Sequence, residues 1–219
     1  MPLPARLDET LAADFPNGAK DVLHWYDFLC PFCYVGQQRN ANFERHGFHV
    51  ADIPFEAHPE IPPEGRLMQD RSGPMYASLE AQARAAGLPL NWPSRLPNTR
   101  MALAAAEWTR RHAPADFPGL EKALFAAHFE RGEDLGDIDT IIRHAQDNGV
   151  DIGAMRTALA DGSAKEFVDR SEALARYVGV RGTPAWLVAG QLIPGLYPEE
   201  EFERLAATLS EAEQNHENS

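Results

Sequence analysis

Apolar and polar positions divide this chain of 219 residues into three stretches with different periods. In the first, residues 22–28 are apolar on both faces and rich in β-formers, which predicts a central strand covered on both sides. Residues 34–44 then read as a helix that closes near His46 and Gly47. Residues 48–55 alternate, with His49, Ala51 and Ile53 on one face and Phe48, Val50 and Asp52 on the other. A strand, helix and strand of this length imply a right-handed parallel crossover.

The second stretch changes character at Pro59. Pro62, Pro63, Gly65, Gly73 and Pro74 mark a long connector, and only helical signals follow as far as Asp161. Residues 75–86 are Ala-rich and stop at Gly87. Asn98 or Thr99 can cap a helix that runs to His112, residues 117–131 carry Leu120, Leu124, Phe125 and Phe129, and Asp137 and Asp151 each open a further helix. The alternating carboxylates of residues 134–139 lack a calcium-loop pattern and read as helix caps. Met75, Met101 and Met155 read as core filling, and Arg110, Arg111 and His112 as cations complementing a helix C-terminus.

The third stretch leads back to strands. Residues 163–178 form a helix, and residues 183–188 a strand entered through Pro184. Gly190-Gln191 reads as a two-residue hairpin turn before the strand that begins at Leu192. Residues 199–209 make a closing helix, and residues 211–219 are polar and expected to fray. Residues 1–20 read as a loosely packed arm or a short helix with a turn.

Charge narrows the function classes. With 33 acidic and 20 basic residues the net charge is −13, and no basic stripe suited to phosphate backbones is visible, so nucleic acid is not expected as a partner. No apolar run approaches the roughly 18 residues of a membrane span. The first residues have neither a basic start nor an apolar segment, and the expected compartment is the cytoplasm. A dithiol there is more often catalytic or redox-sensing than a static crosslink.

The chemistry sits in Trp25-Tyr26-Asp27-Phe28-Leu29-Cys30-Pro31-Phe32-Cys33-Tyr34, which holds the chain's only two cysteines. The pattern is strand end, sharp turn and helix start. A helix N-terminus favours thiolate over thiol, so Cys30, the outer sulfur, is the expected nucleophile and Cys33 the resolving thiol. Zinc would need further ligands at helical spacing, and there is neither a second cysteine pair nor a suitable histidine pair. Two inert core thiols are the other reading. Pro31 argues against it, because proline just inside a helix start is preset to present the preceding residue.

These residues resemble the active-site stretch of DsbA-family thiol–disulfide oxidoreductases, most closely the FrnE-like branch with its D-x-x-C-P-W-C-Y. Residues 179–188, Gly-Val-Arg-Gly-Thr-Pro-Ala-Trp-Leu-Val, are similar to the family's cis-proline loop, and residues 190–195 to its hairpin. The resemblance implies an α/β, thioredoxin-like fold with a large all-helical insertion. Residues 20–60 and 163–211 would form a discontinuous thioredoxin-like domain, residues 61–162 the helical insertion and residues 1–19 the arm. It implies catalysis by Cys30 and Cys33, substrate binding at Pro31, Phe32, Thr183 and Pro184, and a cis Thr183–Pro184 bond. It implies no metal and no cofactor beyond the Cys30–Cys33 disulfide, and leaves glutathione open as a co-substrate. Partners would be protein or small-molecule thiols and disulfides, with the oligomeric state and the direction of exchange undefined.

Two positions sharpen the expectation. Phe32 stands where the FrnE-like branch usually has Trp and DsbA itself has His, so the strongly oxidising poise of DsbA does not transfer. Asp27 can either shuttle a proton for Cys33 or cap the turn after the strand. Two alternatives use the same fold: a glutathione-dependent isomerase or transferase, and a redox-controlled binding module that grips a partner through the helical insertion.

Overall fold

Side chains that are apolar on both faces make β1 (Asp21–Tyr26) the centre of a four-stranded sheet. The computed structural model describes residues 15–16, 18–68 and 71–217; the expected arm, residues 1–19, otherwise lies outside the described residues. Strand β2 (His49–Pro54) pairs parallel to β1, with Val22 opposite Val50 and Trp25 opposite Ile53. On the other side β1 pairs antiparallel with β5 (Ala185–Val188), and β5 with β6 (Gln191–Pro194), in the order β2-β1-β5-β6. This is the thioredoxin-like α/β arrangement.

The crossover from β1 to β2 begins at Pro31, where the cysteine turn predicts a helix start and three residues before the apolar pattern sets in. Helix α1 (Pro31–Gly36) starts directly after Cys30, passes through a 3-10 turn (Gln37–Arg39), and continues as α2 (Asn40–Arg45). The break falls at Gly36, where a side chain would come within 3.0 Å of Leu196, so the turn hugs the end of the β6 hairpin. The hairpin itself turns one residue before the expected place. Ala189 and Gly190 both have positive φ, 47° and 75°, as a tight two-residue turn requires, and Gln191 already pairs with Val188.

Helices α3 (Pro74–Ala85), α4 (Arg100–His112), α5 (Phe117–Phe129), α6 (Ile138–Asp147) and α7 (Ile152–Asp161) form the insertion, and α8 (Ser163–Val178) leads back to the sheet. Asp137 and Asp151 cap α6 and α7 through their carboxylates. A two-residue ladder between β3 (Arg66–Leu67) and β4 (Arg95–Leu96) ties the long connector to the segment before α4; pairs this short leave no periodic signal. Arg110 and Arg111 turn back onto Glu107, whose carboxylate is fully buried, so an ion pair rather than the helix end alone holds them. The closing helix α9 (Glu199–Glu217) runs well past residue 209, because its polar tail is rich in strong helix formers.

Three apolar clusters position everything else. One face of the sheet packs Leu23, Trp25 and Ile53 on Leu174 and Ala175 of α8. The opposite face packs Val22, Trp186 and Val188 on Phe43 and Phe202. The third cluster joins the strand end to the insertion, running from Tyr26, Phe28, Cys30 and Cys33 into Leu103, Leu124 and Phe125. The Phe125 ring lies 6.0 Å from Tyr26, 4.9 Å from Phe28 and 6.2 Å from Tyr34, so the insertion is packed against the cysteine turn from below. No helix among the described residues is long and apolar enough to cross a membrane.

Candidate active site

Cys30 occupies the cap position of α1, with extended φ and ψ of −81° and 113°, and Pro31 takes the first helical position. The cap geometry follows from the sequence: proline fixes its own φ near the helical value and disfavours helical conformation in the residue before it. The Cys30 N–H donates to the Asp27 carbonyl, and the Cys33 and Tyr34 N–H groups donate to the Cys30 carbonyl, all at 3.1 Å. The turn therefore holds Cys30 at the surface of the core, 7% exposed, while Cys33 is 1% exposed; neither is in a disulfide here.

The two thiols are electrostatically unequal. Hydrogen bonding from Cys33 is the largest influence on Cys30 and pulls its thiol below the ordinary value, against the opposing effect of burial. Burial pushes Cys33 well above its ordinary value, and the neighbouring Cys30 sulfur adds to that. Charge thus concentrates on the outer sulfur, as an attacking thiolate requires.

The long-range partner of this turn is the loop before β5. The Thr183–Pro184 peptide is cis, Pro184 is buried, and the Cys30 thiol donates to the Thr183 carbonyl at 3.3 Å. The Thr183 hydroxyl is buried and makes no hydrogen bond of ordinary geometry, though it favours the ionised form of both sulfurs. Residues 153 apart in sequence thus meet at one sulfur. Phe32 is half-buried against the insertion cluster and borders the same cavity as Pro31.

Asp27 caps the turn, one of the two expectations for it, and its carboxylate has two further donors. It is fully buried, and its carboxylate accepts from the Leu29 N–H at 3.3 Å, which caps the turn. It also accepts from the Ala57 N–H at 2.8 Å and the Thr99 hydroxyl at 2.7 Å. Burial outweighs these three donors and raises its pKa to about 6, and its negative charge in turn works against ionisation of Cys30. Thr99 is a site residue that no local pattern reveals. It stands at the cap of α4, yet its side chain makes no capping bond there, and Asn98 accepts from the Arg100 N–H instead. Removing that hydroxyl, in Thr99→Val, is expected to move the Asp27 titration upward by about one unit, the worth of one hydrogen bond to a charged group. Carbon-detected NMR titration of the Asp27 carboxyl measures it; an unmoved midpoint would show that the hydroxyl does not bear on the ionised form.

Trp25 and Tyr34 are buried in the core beside the turn. Trp25 Nε1 donates to the Ser171 carbonyl, and the single proton of the Tyr34 hydroxyl is shared between Pro89 O at 2.6 Å and the Glu130 carboxylate at 3.0 Å. Met75, expected in the core, is instead 49% exposed at the rim of a cavity of about 730 Å³ in front of Cys30. That cavity lies between the cysteine turn, the Thr183 loop and the insertion, with Trp92, Phe129 and Phe32 among its walls. Among the described residues no group of three His, Cys, Asp or Glu side chains is placed to share a metal ion.

Comparison with known proteins gives a consistent fold. Residues 21–207 match the DSBA-like thioredoxin domain. Protein YwbO of Bacillus subtilis, itself uncharacterised, is 26% identical over 192 residues, 81% of this chain and 91% of that one. A probable DsbA oxidoreductase from Streptomyces coelicolor superposes with a TM-score of 0.76 at 23% identity, covering 86% of this chain and 89% of the other. The cytosolic disulfide reductase DsbM from Pseudomonas aeruginosa, solved with GSH, superposes with a TM-score of 0.59 at 13% identity, covering 91% and 100%.

Proposed function

The chain belongs to the DSBA-like thioredoxin domain family, and from that premise we propose that it is a thiol–disulfide oxidoreductase working through Cys30 and Cys33. The observation that carries the reading is the unequal pair: a lowered Cys30 thiol at the mouth of a cavity, backed by a raised and buried Cys33. In the reducing direction the Cys30 thiolate attacks one sulfur of a substrate disulfide. The other sulfur leaves as a thiolate, and a mixed disulfide remains on Cys30. Cys33 then gives up its proton, attacks the Cys30 sulfur and releases the second substrate thiolate. Two electrons pass from the protein dithiol to the substrate, and the oxidising direction is the reverse.

Asp27 is the proposed acceptor for the Cys33 proton. Its pKa near 6 keeps it mostly ionised at neutral pH but closer to a thiol than an exposed carboxylate is. Pro31, Phe32, Thr183 and Pro184 form the proposed contact surface for the substrate around the reacting sulfur. The proposed setting is the cytoplasm, where such a pair cycles rather than persists as a crosslink.

The test is equilibration in graded glutathione redox buffers, acid quench and mass counting of alkylated Cys30 and Cys33. The expected result is one two-electron transition between dithiol and disulfide. If the thiols never pair, the reading has no basis. Accumulation of a lone glutathione adduct on Cys30 would favour the second reading, a glutathione-dependent transferase or isomerase. The size of the cavity beside Cys30 is the observation that favours this second reading, because it can hold a small co-substrate whole.

A further inference from the structure

The cavity in front of Cys30 differs in charge from the rest of the molecule. The chain carries a net charge of −13, yet the described residues lining this cavity include Arg66, Arg71, Arg181 and two histidines and no Asp or Glu. Glu60 lies 3.9 Å from Arg66 and 3.0 Å from His58, and offsets both. Arg71 and Arg181 have no carboxylate partner among the described residues.

Arg71 is held but not satisfied. Its guanidinium lies 5.2 Å from the centre of the Trp92 ring and donates to the Pro93 carbonyl. Its Nε is buried and unpartnered. His128 in the cavity wall is 1% exposed, and neither ring nitrogen makes a hydrogen bond of ordinary geometry, although the Glu133 backbone carbonyl is near enough to favour its protonated form. Arg71 is close enough for its charge to disfavour protonation of His128, which burial has already pushed down to a pKa of about 4. The imidazole is therefore neutral at pH 7, with one nitrogen able to donate and one to accept. A buried imidazole without a well-formed hydrogen bond, and a partly buried guanidinium with no carboxylate and an unpartnered Nε, are costly unless something completes them. A carboxylate fits, because it accepts the two parallel N–H bonds of a guanidinium fork.

Resting on the oxidoreductase reading, we propose that this cavity contains an anion subsite, built on Arg71 and Arg181 with His128 beside them, that selects small thiols and disulfides bearing a carboxylate. The reacting sulfur sits at Cys30, and the acid group of the same molecule is held by the arginines. The volume, about 730 Å³, is within the usual range for whole small molecules, and its walls come from both the sheet domain and the insertion.

The experiment compares three small disulfides as oxidants of the reduced protein at low salt: 3,3′-dithiodipropionate, which is anionic, bis(2-hydroxyethyl) disulfide, which is neutral, and cystamine, which is cationic. A bare thiolate reacts more slowly with an anionic disulfide. The protein is expected to reverse that order and to favour dithiodipropionate over cystamine by about tenfold or more. Arg71→Gln is expected to lower the ratio of anionic to neutral rates by about tenfold, and Arg71→Lys to restore part of it. Arg156→Gln, which removes an exposed charge outside the cavity, is expected to leave the ratio in place. An unchanged ratio in Arg71→Gln, or an equal fall in Arg156→Gln, overturns the subsite. Exchange with all three disulfides at equal rates also overturns the subsite while leaving the oxidoreductase reading intact, whereas exchange with none overturns the oxidoreductase reading itself.

Discussion

Cys30→Ser is expected to lose disulfide exchange by several orders of magnitude, the usual consequence of deleting a covalent nucleophile. A serine hydroxyl does not ionise near neutral pH, so neither the hydrogen bond from Cys33 nor the Thr183 loop can make it reactive. Cys33 cannot substitute, because it is 1% exposed and its thiol is held in the protonated form by burial. The complementary variant, Cys33→Ser, leaves the first attack in place and removes the second. It is expected to accumulate a mixed disulfide between Cys30 and substrate, visible as a mass increase that reductant reverses. Stopped-flow oxidation with a small disulfide, followed by intact mass measurement, reads both variants. Exchange at an undiminished rate in Cys30→Ser, or adduct formation on Cys33 in the wild type, would remove Cys30 from the role of nucleophile.

Asp27→Asn is expected to change how stability depends on pH. The carboxyl titrates near 3.8 when unperturbed and near 6 in the folded protein, because it is buried. Between those values the folded state holds a proton that the unfolded chain has already released. The stabilisation this proton provides is present below pH 4 and is lost as pH rises through 6. At neutral pH the ionised, buried carboxylate therefore costs about 3 kcal/mol, from about two units at 1.36 kcal/mol each. Asparagine does not titrate. It also mispairs one of the donors, since an amide N–H2 cannot accept from Ala57 or Thr99, and that penalty is the same at every pH. The quantity to measure is the stability of Asp27→Asn relative to wild type at pH 8, minus the same difference at pH 4. Urea unfolding is expected to put it at about 2–3 kcal/mol in favour of the variant, with the other carboxylates cancelling. The resolving step should slow by about 10²-fold if Asp27 takes the Cys33 proton, and the inflection near pH 6 should vanish from its rate profile. Parallel stability curves for the two proteins would show that Asp27 titrates as an ordinary carboxylate.

Much of the fold is legible because its signals are local. The run from Val22 to Phe28 has too many apolar residues for a one-sided strand, and the structure buries both faces of β1. Asp137 and Asp151 announce α6 and α7 by capping chemistry that acts within three residues. Pro31 presents Cys30 through the torsional limits of two adjacent residues. Two departures have different ranges. Gly36, where the 3-10 turn begins, packs against Leu196 far along the chain, whereas the hairpin turn at Ala189-Gly190 is local, closed by Val188 pairing with Gln191.

The sequence by itself determined the pair of thiols and their order along the helix start, since proline torsions, cap chemistry and apolar period all act over a few residues, and its resemblance to the family implied the fold class. Only the tertiary structure decided the surroundings of those thiols. Thr183 reaches Cys30 and Thr99 reaches Asp27 across long sequence separations, and the insertion brings arginines to a cavity in an otherwise acidic protein. The reason is physical. Burial and through-space charge set the ionisation of Cys30, Cys33 and Asp27, and both depend on which distant side chains exclude water from one small volume.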